Sequence, residues 1–425
     1  MLLLSLYWLL SPILWILLPL IAIINPKVRH HWLHEKKTRK LAQEKIQQSG
    51  KSKTVVLFHA ASTGEFEQLQ PVLSRIDRSQ YFILLSFFSP TVFTIEKNTH
   101  LADAVCYHPF DFLWSARTFF QLLKIKYYII TRNDIWPSHL FIAKLLGIHT
   151  VLINANLYRK HHYTTWLYRS FFKQVLDQFN LILTGSNRLK NNLMNVISSD
   201  KIQVSGDSRL DRVLERKVEN LNTILLPDCY KKSRTLILGS IIPSDYPHIF
   251  NGLKIFYPNG HKSLEEKDQR IIIVPHEVDQ SILFVIEKKL HEIGFDWTYY
   301  SEKEKLHNSR IVIIDKIGIL ADLYIFSDAA YVGGGFGAGV HSVIEPAVYE
   351  NVVSFGPNYH IVDMAVSLVD SNLCSVIHST DEFVQFLSSL ENEHSSEETQ
   401  VGMSNFISKQ PKAAENITQA IFNHD

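Results

Sequence analysis

The stretch that decides the fold covers residues 331–346 and reads Y-V-G-G-G-F-G-A-G-V-H-S-V-I-E-P. A β-type run, Ala329 to Val332, enters a loop with five glycines, and we predict a helix that opens near His341. Glycine has no Cβ, so it adopts positive φ angles and lets backbone amides approach a ligand closely. Free amides at the start of a helix favour an anion. The stretch therefore predicts an α/β protein with a phosphate pocket, in which Glu345 suits a ribose or base hydroxyl. A loose surface loop is the alternative interpretation.

Length, charge and cysteine usage set the class of protein. The chain has 425 residues and a formal net charge of +1, so its length predicts two domains and its charge does not indicate a nucleic-acid partner. The three cysteines are scattered, which predicts no disulfide framework and favours a reducing compartment. The sequence holds no metal-ligand cluster, no D-x-D at a predicted strand end and no Walker loop. We therefore predict neither a metal nor a cofactor.

The start of the chain differs from the rest because residues 1–25 carry no charged side chain and are rich in Leu, Ile and Trp. A helix of about 20 apolar residues spans a bilayer core, so we predict a single-pass membrane anchor. A basic juxtamembrane segment, residues 26–50, follows, which predicts that the remaining chain is cytoplasmic. A cleaved signal peptide is a rival interpretation, weakened by the uncharged start. An amphipathic helix in the membrane plane is disfavoured because the segment has no polar face.

From Lys53 onward, short β-rich runs alternate with helical stretches, which predicts parallel sheets covered on both faces. A polar stretch interrupts this alternation. We therefore predict an N-terminal Rossmann-like domain over residues 51–210, a linker over 211–233 and a C-terminal Rossmann-like domain over 234–425. Two doubly wound domains that face a cleft are the simplest architecture, with ligands at the carboxyl ends of the strands.

A second motif, H-A-A-S-T-G-E over residues 59–65, follows the predicted strand Thr54–Phe58. Ser62 and Glu65 have the spacing of a capping box, in which two side chains close the first turn of a helix. Glu65 is equally placed to act as a general base, provided that burial raises its pKa toward neutrality. The spacing leaves both interpretations open.

Further polar residues follow other predicted strands. Arg132 and Asp134 lie in T-R-N-D-I-W-P after Tyr127–Thr131, where they either bind a substrate or pair with each other. Arg209, in G-D-S-R-L-D, is a candidate cation for a phosphate or carboxylate, or else a solvated surface residue. His276 also follows a predicted strand, although a single histidine there is more often an ordinary surface residue.

Taken in order, these motifs resemble the Kdo transferases of lipopolysaccharide synthesis, which are GT-B glycosyltransferases (Kdo is 3-deoxy-D-manno-octulosonic acid). The resemblance covers nearly the whole chain. It rests on H-A-A-S-T-G-E, I-W-P, N-A-N, G-D-S-R-L-D, the glycine-rich stretch and the later F-G-P-N. The His-Glu pair after Pro275 and the G-D-S-R-L-D form are most similar to the Bacteroidetes-type branch of the family.

The resemblance implies an enzyme that moves Kdo from CMP-Kdo to the lipid A precursor, lipid IVA, at the cytoplasmic face of the inner membrane. It implies that Glu65 is the catalytic base and that Arg132 and Arg209 support it. The CMP-binding residues that it implies lie in the second domain: Pro275, His276, Ile317, Gly318, Ile319, Ser342, Val343, Ile344 and Glu345. We hypothesise an inverting displacement.

The chain departs from the family pattern at several of these positions. Ser342 stands where the family usually has Asn, Arg132 replaces an acidic residue, and the M-G-E turn reads Ile317-Gly318-Ile319. These changes affect donor affinity and acceptor choice more than the fold. Three rival functions stay open: another GT-B lipid glycosyltransferase, a sugar-nucleotide epimerase, and a membrane-tethered nucleotide-sugar binder that has lost turnover.

Overall fold

The computed structural model of the protein describes residues 2–132, 134–157 and 165–422. The chain divides into two compact units, one formed by Met1–Arg212 with Pro411–Asp425 and the other by Val213–Gln410. Each unit is built on a seven-stranded sheet whose neighbouring strands run parallel. The predicted fold class, two parallel-sheet α/β domains of the GT-B kind, is confirmed.

The chain begins with two helices, α1 (Leu2–Ile24) and α2 (Pro26–Ser49). Asn25 separates them: its backbone is extended, and its side chain accepts hydrogen bonds from the first amides of α2. Proline at the first position of α2 suits a helix start because that N–H would have no helical partner. By length and composition, α1 is able to cross a membrane.

The first sheet has the strand order β3-β2-β1-β4-β5-β6-β7. Its strands are β1 (Thr54–Ala60), β2 (Tyr81–Phe87), β3 (Ala104–Tyr107), β4 (Tyr127–Thr131), β5 (His149–Ala155), β6 (Leu181–Thr184) and β7 (Ile202–Val204). The helices that accompany them are α3 (Thr63–Leu73), α4 (Pro90–Glu96), α5 (Leu113–Leu122), α6 (Pro137–Leu145), α7 (Trp166–Leu176), α8 (Asn187–Met194) and α9 (Ser208–Glu219). The winding reverses between β1 and β4. In doubly wound sheets the carboxyl ends at such a reversal flank the ligand crevice.

The first sheet is buried on both faces, as a parallel sheet requires. Along β1, Leu57 points into one apolar core, and Val56 and Phe58 point into the core on the opposite face. This two-sided burial explains why the strands read as nearly continuous apolar runs.

Helix α2 covers the β3 edge of the first sheet. The Tyr107 amide donates to Thr38 Oγ1 at 3.2 Å, and Ile46 is buried in the core beneath the helix. His31 Nε2 lies 2.8 Å from the carbonyl oxygen of His108. An uncovered edge strand invites pairing with another chain, so this helix protects the sheet. The basic juxtamembrane segment is thus an integral part of the first unit.

The second sheet has the strand order β10-β11-β9-β8-β12-β13-β14. Its strands are β8 (Arg234–Ile241), β9 (Gln269–Pro275), β10 (Thr298–Tyr299), β11 (Ile311–Ile313), β12 (Ala329–Val332), β13 (Val352–Phe355) and β14 (Cys374–Val376). Its helices are α10 (Cys229–Lys232), α11 (Tyr246–Phe256), α12 (His261–Glu266), α13 (Gln280–Ile293), α14 (Leu320–Leu323), α15 (Ile344–Val348), α16 (Asp363–Asp370), α17 (Thr380–Ser389) and α18 (Glu393–Ser408). Here the winding reverses between β8 and β12, which places the end of β8 beside the glycine-rich loop.

The last helix, α19 (Ala413–Phe422), belongs to the first unit, which corrects the predicted C-terminal domain of residues 234–425. Its buried side chains join the core against β1: Ala413, Ala414, Ile417 and Ile421. The predicted linker over 211–233 also differs, because its first residues continue α9 to Glu219. Helical spacing reveals an apolar face, but it does not reveal which sheet that face covers.

Candidate active site

Glu65 lies in the first turn of α3, at the carboxyl end of β1, and it closes that turn. Glu65 Oε2 accepts hydrogen bonds from the amides of Ala61 at 2.6 Å and Ser62 at 3.2 Å. In return, the Glu65 amide donates to Ser62 Oγ at 3.3 Å. These contacts form the predicted capping box. The cap fixes the position of the carboxylate at the switch point of the sheet.

The surroundings of Glu65 raise the pKa of its carboxyl group. Burial is the largest cause, and the negative charge of Asp134 acts in the same direction. The Ala61 amide and His59 lower the pKa, but the net pKa of Glu65 stays above its ordinary value. A carboxylate whose pKa lies nearer neutrality accepts a proton more readily, as a general base must. The condition that the sequence left open, partial burial of Glu65, is therefore met.

His59 and Asp134 form a hydrogen-bonded pair across the switch point. His59 Nε2 lies 2.6 Å from Asp134 Oδ2, and Trp136 Nε1 donates to the same oxygen at 2.9 Å. On the other side of the ring, His59 Nδ1 lies 3.0 Å from Ser86 Oγ. Burial alone would raise the pKa of Asp134, but the hydrogen bonds from His59 and Trp136 lower it below its ordinary value. Asp134 therefore keeps its negative charge in the neighbourhood of Glu65.

A buried aromatic cluster supports the His59 ring. His108 stacks on His59 with ring centroids 4.0 Å apart, and the Tyr128 hydroxyl oxygen lies 3.1 Å from His108 Nε2. Complete burial lowers the pKa of His108 well below its ordinary value, so this ring is neutral. A neutral, hydrogen-bonded ring holds His59 in one orientation without adding charge near Glu65.

Arg209 lies at the start of α9 and reaches α3 through Gln68. When the Gln68 amide is oriented so that its oxygen faces the guanidinium group, Arg209 Nη2 and Nε donate to it at 3.1 and 3.3 Å. The adjacent Ser208 Oγ donates to the main-chain carbonyl oxygen of Gln68 at 2.7 Å and accepts from Asn154 Nδ2 at 2.8 Å. The end of β5, the start of α9 and the helix of Glu65 thus form one network. Protein contacts hold Arg209 in place.

Three residues at strand ends have a left-handed backbone conformation. The residues are Arg132, Asn154 and Ser240, with φ angles of 60°, 52° and 56°. This conformation costs about 1–3 kcal/mol for a residue other than glycine, and such strain clusters at functional sites. The Arg132 amide donates to the carbonyl oxygen of Ile153 at 2.9 Å, which stabilises the turn. The supporting role of Arg132 and its pairing with Asp134 stay predictions. Asn133, in the same motif, lies outside the described residues.

In the second unit, the glycine-rich loop folds around the buried carboxylate of Asp245. Asp245 Oδ2 accepts from the Gly334 amide at 2.9 Å, and Oδ1 accepts from the Tyr331 hydroxyl at 3.1 Å. Gly334 has a φ of 92°, and a Cβ added to Gly333 would overlap the carbonyl oxygen of Ser240. These glycines are required by close backbone packing. The alternative of a loose surface loop does not match this geometry.

The structure corrects the helix predicted to open near His341. The helix that follows the loop, α15, begins at Ile344 and has only five residues. The physical reason is Pro346, which has no N–H and is tolerated only in the first turn of a helix. Within the described chain, the amides of Ser342 and Val343 donate to no protein acceptor. The candidate phosphate cradle is therefore this short turn and not the dipole of a long helix.

His276 packs over the end of β8, beside the glycine-rich loop. Its Nδ1 lies 2.8 Å from Ser240 Oγ, and its ring stacks on that of His341 with centroids 4.3 Å apart. The His341 amide donates to the carbonyl oxygen of Gly333 at 3.0 Å. Burial and the neighbouring His276 lower the pKa of His341. The structure thus places His276, which the sequence predicts to bind CMP, beside the glycine-rich loop.

The other predicted CMP residues fall into two groups. In the first, Ser342 Oγ donates to the Glu345 carboxylate, and the side chains of Val343 and Ile344 are buried, so only their backbone can face a ligand. Pro275, the last residue of β9, is likewise buried.

The second group is the turn Ile317-Gly318-Ile319, which lies between β11 and α14. Gly318 has a φ of 89°, and the side chain of Ile317 is exposed. A Cβ added to Gly239, at the end of β8, would lie 2.5 Å from the Tyr324 hydroxyl oxygen, so the chain beyond this turn packs against β8. Contact between the turn and CMP stays a prediction.

Sequence reasoning assigned no role to four residues that shape the site: His59, Gln68, Asp245 and His341. His59 opens the H-A-A-S-T-G-E motif and His341 lies within the glycine-rich stretch, so proximity to those motifs was an available signal. Gln68 and Asp245 act through buried contacts with residues distant in sequence, which no local pattern reveals.

A protein metal site needs several donor side chains grouped around one point. Among residues 2–132, 134–157 and 165–422, no group of three or more His, Cys, Asp or Glu side chains is arranged to hold a metal ion. The buried His59 and His108 rings instead use their nitrogens in hydrogen bonds to Asp134, Ser86 and Tyr128.

Two parallel sheets, each with polar residues at its switch point, define a GT-B-type protein. Solved structures agree with this fold. The chain is similar to the UDP-GlcNAc 2-epimerase of Neisseria meningitidis, with a TM-score of 0.58 and 15% identity over 87% of this chain and 98% of that one. The epimerase of Methanocaldococcus jannaschii gives a TM-score of 0.53 and 15% identity over 79% and 92%. At this identity, the likeness concerns the fold alone.

Sequence comparison shows which known proteins the chain is similar to. Residues 34–212 match the family model of the 3-deoxy-D-manno-octulosonic-acid transferases, or Kdo transferases. The chain is 27% identical to the Kdo transferase of Chlamydia muridarum, over 77% of this chain and 75% of that protein. It is also 27% identical to that of Aquifex aeolicus, over 73% and 78%. Residues 34–212 thus match the Kdo transferase model, and the chain is similar to these enzymes over most of its length, in agreement with the resemblance of its motifs. The Bacteroidetes-type branch stays a prediction.

Proposed function

We propose that this protein is a glycosyltransferase that moves Kdo from CMP-Kdo to the lipid A precursor, lipid IVA, in lipopolysaccharide synthesis. One observation carries the proposal. In the unit that matches the family model, the helix cap positions the Glu65 carboxylate, and its pKa is raised in the neighbourhood of the His59–Asp134 pair. The relatives indicate the sugar, and the geometry of Glu65 supplies a base for its transfer.

The proposed reaction is an inverting displacement. A hydroxyl oxygen of the acceptor attacks the anomeric carbon of Kdo while Glu65 accepts the hydroxyl proton. A new glycosidic C–O bond forms as the C–O bond to the CMP phosphate breaks, and the electron pair of that bond leaves with CMP. General-base assistance of this kind contributes about 10²–10⁴-fold to the rate.

The second unit is the proposed binding site of CMP. Among the described residues the amides of Ser342 and Val343 have no protein acceptor, so they can donate to a phosphate, and Ser240 and His276 lie at the adjacent strand ends. A monophosphate carries less charge than a diphosphate, so preorganised dipoles and the guanidinium group of Arg209 are proposed to stabilise it as it leaves. This arrangement requires the predicted cleft, in which the acceptor and the donor meet.

Membrane association explains access to a lipid acceptor. Helix α1 is apolar, and α2 carries exposed basic residues that attract anionic head groups by about 1 kcal/mol each near the surface. Confinement to the membrane raises the local concentration of a lipid substrate. We place the catalytic units on the cytoplasmic side of the inner membrane.

The substitution Glu65→Gln tests the role of Glu65 as a base. Glutamine is accepted at the third position of a capping box, so α3 keeps its cap while the base is lost. We expect kcat for transfer from CMP-Kdo to a tetra-acylated lipid A precursor to fall by about 10²–10⁴-fold, with CMP affinity unchanged. Near-normal turnover would remove Glu65 as the base.

Glu67→Gln is the matched control on the same helix. Glu67 Oε2 accepts from Arg212 Nε at 2.9 Å, so this glutamate has a surface ion-pair role, and its substitution should leave turnover nearly normal. A donor panel with UDP-GlcNAc separates the rival classes. Epimerisation of a UDP-sugar without transfer from CMP-Kdo would contradict the proposed function.

A further inference from the structure

Helix α1 is covered by protein along one face for most of its length. Leu4, Ser11, Leu18 and Ala22 are only 2–7% exposed. Their spacing of seven, seven and four residues places them on a single stripe of the helix. At 1.5 Å per residue, this stripe extends for about 27 Å. The protein therefore covers α1 from near its start to near its end.

Specific contacts hold the start of this stripe on the first unit. The Tyr7 hydroxyl donates to Asp111 Oδ2 at 2.6 Å, and the rings of Trp8 and Phe141 lie 4.6 Å apart. Leu4 belongs to the core of that unit. Asp111 is buried and also accepts two backbone amides at the start of α6. A buried carboxylate depends on its donors, so the Tyr7 hydroxyl is part of the first unit.

The opposite face of α1 is exposed and apolar. Leu9, Ile16 and Ile23, again seven residues apart, are 66–73% exposed. The apolar surface continues onto the first unit, because the ring of Trp15 packs edge-on against that of the partly exposed Trp114, with centroids 6.3 Å apart. The surface of a soluble protein rarely carries an apolar band of this length. The exposed face of α1 therefore marks an interaction site.

We propose that α1 lies in the plane of the membrane, with its buried stripe on the first unit and its opposite face among the acyl chains of one leaflet. A spanning helix would either leave the first unit or carry that unit through about 30 Å of hydrocarbon. Asp111 lies in irregular backbone between β3 and α5, and such backbone is not found exposed to lipid. The in-plane arrangement keeps every contact of the stripe.

The structure also removes the objection to an in-plane helix, namely that residues 1–25 have no polar face. A polar face is needed only where the helix would meet water, and here the first unit covers that side. Helix α2 supplies the charge. Its Lys27, Lys36 and Lys40 are exposed, as the attraction to an anionic leaflet requires. The single-pass anchor is the competing arrangement.

The first test compares the positions of the two chain ends. The full-length chain carries one epitope tag before Met1 and another after Asp425, and sealed membrane vesicles of either orientation are treated with a protease. An in-plane helix leaves both tags accessible from the same side. Tags digested from opposite sides would show that α1 crosses the bilayer and would overturn the proposal.

The second test asks whether α1 rests on the first unit in the membrane. In a Cys229→Ser, Cys374→Ser background, Trp15→Cys with Trp114→Cys should form an intramolecular cross-link with a short bismaleimide. Leu9→Cys with Trp114→Cys is the control, since Leu9 faces away, and it should not cross-link. Failure of the first pair, or equal cross-linking by both, would overturn the docking. Neither readout uses enzyme activity, so failure here leaves the proposed function intact.

Discussion

At Glu65, opposing influences act on the same carboxyl group. The amides of Ala61 and Ser62 stabilise the ionised form, whereas burial and the charge of Asp134 favour the protonated form and raise the pKa. Asp134 in turn stays ionised through its bonds to His59 and Trp136. The basicity of Glu65 therefore depends on a neighbour that need not touch the substrate.

Asp134→Asn should shift the acid side of the pH–rate profile. The substitution removes a charge that raises the pKa of Glu65, so that pKa should fall. A base works only when ionised, and activity is lost as the pH drops through its pKa. The acid limb of kcat should thus move to lower pH in the variant. The measurement is kcat against pH at saturating donor, with the exposed Asp200→Asn as control. A limb that stays in place or moves upward would contradict this electrostatic coupling.

The residue scale also shows where sequence reasoning ends. Ser62 and Glu65 are three positions apart, so their capping box was predicted from spacing alone. His59 and Asp134 are 75 positions apart, and only the neighbouring positions of β1 and β4 in the sheet bring them together. Whether Glu65 is buried depends on the same distant packing. Local chemistry is readable in a sequence, whereas the electrostatic environment is a property of the fold.

At the scale of elements, the glycine-rich loop depends on one buried carboxylate. Asp245 accepts hydrogen bonds from the Gly334 amide, the Ile242 amide and the Tyr331 hydroxyl. These bonds tie the loop after β12 to the segment after β8. The loop shape that the proposed CMP site requires is thus set by a residue outside the glycine-rich stretch.

Asp245→Asn should weaken CMP binding. Asparagine is neutral, so the Gly334 and Ile242 amides would exchange a hydrogen bond to a charged oxygen, worth about 1.5–3 kcal/mol, for one to a neutral oxygen, worth about 0.5–1.5 kcal/mol. If the loop loosens by that amount, CMP affinity should fall on the order of tenfold, because 1.4 kcal/mol corresponds to a factor of ten. Calorimetric titration with CMP measures the change. Asp370→Asn, at the exposed end of α16, is the control, and an unchanged affinity in Asp245→Asn would contradict the role of Asp245.

Regular elements were predicted well where apolar runs are bounded by turn residues. The strands Tyr127–Thr131 and Ala329–Val332 match the sequence prediction residue by residue. The helix after the glycine-rich loop was predicted to begin too early, although Pro346 restricts where it starts. Short strands at the sheet edges, such as β10, carry too few residues to give a pattern.

At the scale of the whole molecule, the first unit is assembled from both ends of the chain. Helix α19 packs its apolar face against the core that contains Val56 and Phe58 of β1. The ring of Phe422 lies 4.3 Å from that of Tyr81. Nothing in the local sequence of such a helix distinguishes one that covers the second sheet from one that returns to the first.

Ile417→Ala should destabilise the first unit. Ile417 is fully buried, and truncation of a buried isoleucine to alanine costs about 2–5 kcal/mol. We expect a lower melting temperature for this unit in thermal unfolding, with the binding of CMP to the second unit retained. Gln419→Ala, on the exposed side of the same helix, is the control and should unfold like the parent protein. Equal stability of the two variants would show that α19 is not needed to hold the first unit together.

The return of α19 also sets an order of events during synthesis. A ribosome delivers the chain from the amino end, and domains usually fold in that order. Here Val213–Gln410 is translated before α19. The surface of the first unit that α19 covers therefore stays uncovered until α19 has emerged from the ribosome. In this protein the half that is made first is completed by a helix that is made after the other half.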